Sequence, residues 1–201
     1  LEQQLPRELS QEEILSLFRV AATDIRLLMA CLLSGLDAEE ARTLCWDDID
    51  TDTGVIHAGG ESGRTVPFTP PLAAAVADCR QPDPDAAGTV WHDADGEPLV
   101  QDDLAAMLLF TAHDAGLTRP PEVTPAAVRH TYISYLVRQG VRLNELPALV
   151  GPVPPGLLAN YGSYSPPGSA LPLDSVESIY PALDDFYRQT PDNGTGAKEP
   201  A

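Results

Sequence analysis

Apolar positions along the chain recur at helical spacing over most of its length. Residues 10–20, "SQEEILSLFRV", open with a serine and carry a glutamate three positions on, the capping-box pattern of a helix start. Apolar residues at 14, 17, 18 and 21 then share one helical face. A second helix, from about Asp24 to Leu33, is almost wholly apolar and belongs at the centre of a core. Asp37 to about Cys45 reads as a third, with Asp37 as N-cap and Glu40 at its N3 position. Residues 54–68, "GVIHAGGESGRTVPF", switch to two short β runs around a Gly/Ser turn and predict a hairpin. Further helices are predicted over about 70–80, 101–115, 124–138, 143–150 and 155–161, with a possible short strand at 89–91. Val176, Ile179, Tyr180, Leu183, Phe186 and Tyr187 recur at helical spacing, which predicts an amphipathic helix over 173–187. From Pro191 the tail "PDNGTGAKEPA" is expected to be disordered. The fold class is therefore mainly α with a small antiparallel β-sheet (α+β).

Composition narrows the function. A chain of 201 residues that is 43% hydrophobic suffices for one domain with a real core. No run approaches the ~20 apolar residues of a membrane span, and the start, "LEQQLPRELSQEE", has no signal-peptide pattern. It resembles the middle of a longer protein. Cys31, Cys45 and Cys79 lack metal spacing and suggest free thiols in a reducing cytoplasm. His57, His92 and His113 are scattered, so no metal site and no cofactor are expected. The formal charge of −18 counts against a chain that grips DNA by itself, and the only lysine is Lys198, in the tail. An acidic proteome from a saline habitat would produce the same bias without functional meaning.

Three separated segments resemble the catalytic domain of tyrosine recombinases, or phage integrases. That family writes G-L-R-x-x-E-x-x-x-L-x-W-x-D-I, and Gly35, Leu36, Glu40, Leu44, Trp46, Asp48 and Ile49 fall in place. Arg64, Val66 and Pro67 match its R-x-V-P. "TPAAVRHTYISYLVRQGVRLNELPALVGPVPPGLLANY" resembles its P-H-x-L-R-H-T, the following helix, L-G-H and the tyrosine beyond. The likeness spans about residues 9 to 165. It implies a recombinase-type domain over 1–165, a C-terminal docking helix within 166–190 and a tail over 191–201. In the family, a smaller DNA-clamping domain precedes this one.

The resemblance also implies a chemistry. A tyrosine hydroxyl attacks a DNA phosphate while two arginines hold the phosphate oxygens. A hairpin lysine protonates the leaving oxygen, and two histidines assist. Carried over, the first arginine position is Asp37, the lysine position is near Gly59, and the first histidine position is Ala126. The second arginine is retained as Arg129, followed by His130 and Thr131. The second histidine position is Pro152, and the nucleophile position is Tyr161. Arg129 and Tyr161 alone survive. Asp37 is an ordinary helix cap, worth about 1 kcal/mol, but in a phosphate pocket it replaces a cation by an anion.

These positions predict a degenerate, catalytically inactive member acting as a regulatory or protein-interaction subunit in a recombination or mobile-element system. Its partners would be recombinase subunits reached through the helix at 173–187, which docks in cis or in trans, with DNA contacted weakly or indirectly. Arg129 is expected to pair with Asp37. Tyr161 is expected to be a packing aromatic more than a nucleophile, and His130 a hydrogen-bonding histidine. The three prolines of "GPVPPGLL" stiffen the approach to Tyr161. One alternative is an active recombinase that uses Tyr161 with cations supplied by partners. The other is a non-catalytic DNA-binding protein with Arg64, Arg119, Arg129, Arg138 and Arg142 on one face.

Overall fold

The computed structural model describes residues 5–59, 63–83 and 85–189. The chain begins with α1 (Gln11–Val20), closed at its start by a reciprocal capping box between Ser10 and Glu13. Next comes α2 (Thr23–Leu32), whose residues Leu27 to Leu32 are all buried. A helix that is apolar all round beyond its first turn needs neighbours on every side there. Accordingly α2 packs on α3 (Ala38–Arg42), α4 (Pro70–Arg80) and α6 (Pro125–Arg138).

Between α3 and α4 lies a three-stranded antiparallel sheet in the order β1 (Ile49–Asp50), β2 (Val55–Ala58), β3 (Arg64–Pro67). Ile56 faces Val66 across the hairpin and Ile49 on its other side. All three are buried, so one face of the sheet joins the core. The hairpin is as expected, while β1 was not anticipated. The expected strand at 89–91 does not form. Thr89 makes one bridge to Cys45, and His92 makes one to Pro98 within a turn.

The rest of the chain is α5 (Gln101–Asp114), α6, α7 (Leu146–Val150) and α8 (Pro155–Tyr161). The C-terminal region departs from the expected helix over 173–187. Leu173–Ser175 is a single 3-10 turn, the backbone then runs extended, and α9 spans Pro181–Gln189. Proline explains the late start, because the residue before it is biased away from helical geometry. Tyr180 therefore precedes the helix instead of continuing one. The extended stretch is held along α6: Gln139 exchanges hydrogen bonds with the Glu177 backbone (2.8 and 2.9 Å), and the Tyr132 hydroxyl donates to the Ser178 carbonyl (2.8 Å). Helix α9 packs on α1 and α4 of its own chain. Phe186 stacks on Phe18 at 5.1 Å between centroids. The tail from Pro191, expected to be disordered, lies outside the described residues. Among the described residues no helix is long and apolar enough to cross a membrane.

Candidate functional site

The positions singled out by the sequence lie where the α2–α3 turn, the hairpin, α6 and the loop after α7 meet. Gly35 makes the first approach possible. Its φ is +100°, and a Cβ there would stand 2.7 Å from the Leu149 carbonyl oxygen. Gly151, at φ +74°, does the same on the other wall, where a Cβ would lie 2.7 Å from Arg64 Nε. Glycine alone tolerates both the backbone conformation and the contact.

Asp37 is the N-cap of α3. Its carboxylate accepts from the backbone N–H groups of Glu39 (2.9 Å) and Glu40 (2.8 Å), and Glu40 in return accepts from the Asp37 N–H (2.8 Å). Glu40 has a second role. Its carboxylate takes Arg64 Nε and Nη2 at 3.0 and 2.9 Å, in the forked geometry that suits a guanidinium. Arg64 also donates to the Gly35 carbonyl (2.7 Å) and the Leu149 carbonyl (3.0 Å). One arginine thus ties the hairpin to the α2–α3 turn and to the end of α7.

The expected Asp37–Arg129 ion pair does not form. Asp37 is committed to its cap, and Arg129 turns to backbone carbonyls, donating from Nη2 to Val150 (2.6 Å) and Pro152 (3.5 Å). Arg129 Nε is buried without a hydrogen-bond partner. Burial lowers the pKa of this guanidinium, while the charges of Asp37, Tyr161 and Glu40 act in the opposite direction. Asp37 therefore acts on Arg129 through the field rather than through contact.

Tyr161 ends α8 and is buried, 3% exposed. Its hydroxyl lies 2.9 Å from His130 Nδ1, and His130 Nε2 faces Ser134 Oγ at 3.4 Å. Burial pushes the Tyr161 phenol up to about 12, against the pull of Arg129. Burial, helped by the charge of Arg138, holds the His130 imidazole down at about 4. At neutral pH both groups are uncharged, and the phenol hydroxyl and the imidazole share one hydrogen bond. The adjacent Thr131 hydroxyl accepts from the Leu9 N–H (2.9 Å) and donates to the Ala127 carbonyl (2.8 Å), fastening the N-terminal segment onto α6.

Gly59, Ala126 and Pro152 are exposed. Gly59 follows β2 at the hairpin turn, Ala126 stands on the first turn of α6, and Pro152 follows Gly151. The structure thus gathers Asp37, Arg129 and Pro152, with Tyr161 close enough for Arg129 to act on its ionisation. Glu40 and Arg64, read in the sequence as motif matches, a capping residue and one of several candidate DNA-facing arginines, turn out to organise the site. Two flanking glycines and a capping glutamate were the available signals. Among the described residues no group of three His, Cys, Asp or Glu side chains gathers to hold a metal ion.

Known proteins share this architecture. The XerA recombinase superposes with a TM-score of 0.66 at 19% identity, over 94% of this chain and 65% of that one. XerH recombinase bound to its difH substrate superposes with a TM-score of 0.61 at 20% identity, over 80% and 50%. At these identities the likeness concerns the fold. In sequence, the tyrosine recombinase XerC of Mesorhizobium japonicum is 30% identical over 173 residues, covering 81% of this chain and 52% of the relative. XerC of Methylobacterium nodulans is 29% identical over 169 residues, covering 81% and 51%. The chain thus spans about half the length of these relatives. The model of the phage integrase family matches residues 7–153, and the chain belongs to that family.

Proposed function

We propose that this chain is a recombinase-type domain that does not cut DNA and serves as a regulatory or protein-interaction subunit beside catalytic subunits of a DNA recombination system. The observation that carries the reading is an anion, Asp37, at a family arginine position, its charge acting on Arg129 without an ion pair. Cleavage by the family's chemistry places a phosphate where two cations converge, and loss of a single stabilising donor costs ~10²–10³ in rate. Here an anion stands at one of those positions, and the remaining guanidinium donates to the Val150 and Pro152 carbonyls. Tyr161 supports the same reading. A phenol held at about 12 by burial is a poor nucleophile at neutral pH.

In this reading residues 1–165 form the recombinase-type unit and 166–190 a docking segment seated in cis, in a cytoplasm that keeps the three free cysteines reduced. DNA is contacted weakly or indirectly. Arg64, Arg119, Arg138 and Arg142 are each ion-paired, with Glu40, Glu122, Glu8 and Glu145, so each cation has a carboxylate beside it that lowers its pull on phosphate. One observation favours the competing active enzyme: Tyr161 is retained beside Arg129, and a partner's cations would complete the pocket.

Covalent tyrosine–DNA linkage separates the two. Chromosomal DNA is isolated under denaturing conditions from host cells that express the tagged full-length protein with its native partners. No protein is expected to remain on the DNA. Tagged protein that stays attached, and is lost with Tyr161→Phe, overturns the non-catalytic reading.

A further inference from the structure

Away from Asp37, Arg129 and Tyr161, a groove of about 540 Å³ opens between the start of α2, the loop through residues 90–99 and α5. Its inner wall is fixed. Trp91 is 2% exposed, and its indole N–H donates to the Asp24 carbonyl at 3.0 Å. Leu99, Ala106 and Met107 continue the apolar lining, and Phe110 stands on the rim. Phe110 is 68% exposed, and Val100, beside the groove at the start of α5, is 60% exposed. Large apolar side chains gathered in water around a concavity mark a contact surface more than packing.

The rim has a definite sign. Asp24 and Asp103 line the groove together with His92, and the loop that forms one bank carries Asp95 and Glu97, with the Asp93 carboxylate turned to their N–H groups. Arg42 reaches the Leu99 carbonyl (3.3 Å), but its charge is met by Glu39. An occupant must therefore bring apolar side chains for the floor and positive charge for the rim. A second copy of this chain is unsuited, since it carries −18. The chain's own C-terminal segment is acidic, through Glu177, Asp184 and Asp185, and is already seated on α1.

We propose that this groove docks a basic amphipathic segment of a different protein, with apolar anchors against Trp91, Met107 and Phe110 and Lys or Arg over the carboxylate rim. The proposal rests on the interaction role argued above for its biological setting, and names the chemistry of the partner.

The test uses three peptides of about five helical turns (~18 residues). One has Leu and Phe on one face and Lys and Arg on the other. The second has Glu and Asp in place of the cations, and the third is residues 171–189 of this chain. Each is titrated into isotope-labelled protein at physiological salt and followed by amide NMR. The basic peptide is expected to bind alone, with shifts confined to Trp91–Leu99 and Asp103–Phe110. Phe110→Ser, at an exposed position that leaves the core intact, should weaken it on the order of tenfold or more. Asp95→Asn with Glu97→Gln should weaken it further, and Asp52→Asn in the turn between β1 and β2 should not. Shifts scattered over the acidic surface that survive Phe110→Ser overturn the proposal. So does equal binding of the acidic peptide, or preference for 171–189. Its failure leaves the non-catalytic reading standing, whereas a Tyr161–DNA adduct sinks that reading and leaves the groove unaffected.

Discussion

Glu40 uses both carboxylate oxygens: one accepts from Arg64, and the other from Arg64 and from the Asp37 N–H. Both partners of the ion pair are largely shielded, with side-chain exposures of 13% for Glu40 and 18% for Arg64. Removing one member of such a pair strands the other charge, so Glu40→Ala should cost about 3 kcal/mol in a urea titration. Adding Arg64→Leu should recover part of that loss, because the stranded charge is gone. His130 gives a prediction of the opposite kind. Its folded pKa, about 4, lies below the ordinary value of 6.5, so the unfolded chain binds the proton more readily. Its contribution is then complete above about pH 6.5 and is lost as pH falls toward 4. Carboxylates such as Glu13, held low by its hydrogen bonds with Arg7 and Ser10 in spite of burial, also lose stability in acid. The comparison is therefore with His130→Gln, which should flatten the part of the stability profile between pH 6.5 and 4. An unchanged slope would mean that His130 binds its proton equally well in the folded and the unfolded chain.

Elements differ in how openly the sequence declares them. Helix starts with reciprocal caps, at Ser10 and Asp37, were legible because the cap and its glutamate sit within one turn. The central helix was legible because α2 is wholly apolar beyond its first turn, and the hairpin because its β runs flank glycines. The C-terminal helix was not. Its apolar spacing was real, but Val176 and Ile179 belong to an extended stretch held by Gln139 and Tyr132, both remote in sequence. Local periodicity cannot register a partner about forty residues away. The same limit hid the partner of Arg129: the carbonyls of Val150 and Pro152, more than twenty residues away, take its hydrogen bonds, while Asp37 caps α3. Once placed, α9 has a checkable energetic role. Leu183 is 1% exposed and faces the core, so Leu183→Ala should destabilise by about 2–4 kcal/mol. Amide exchange in α1 should rise at the same time, because α9 covers that helix. Loss of stability without faster exchange in α1 would mean that α9 is braced elsewhere.

At the scale of the whole molecule the governing quantity is the charge of −18. It presses on the fold in two opposed ways. The arginines are spread into local pairs, several of them exposed, such as Arg119 with Glu122 and Arg142 with Glu145. Exposed pairs of that kind contribute about 0–1 kcal/mol each, and salt screens them. The unpaired carboxylates repel one another over longer distances, and salt screens that repulsion as well. The two effects therefore compete as ionic strength rises. With thirty acidic residues against twelve basic ones, repulsion has far more members than attraction. It also acts at separations near the Debye length, about 10 Å at 0.1 M, where screening changes most. The buried Glu40–Arg64 pair, shielded from solvent, should scarcely respond. Raising sodium chloride from about 0.01 M to 0.5 M should therefore raise the melting temperature, as expected for a compact state strained by self-repulsion. A melting temperature that falls with salt would show that local pairs outweigh the net field. The arginines would then be structural struts first, and the acidic surface would be no burden to a chain that meets a basic partner.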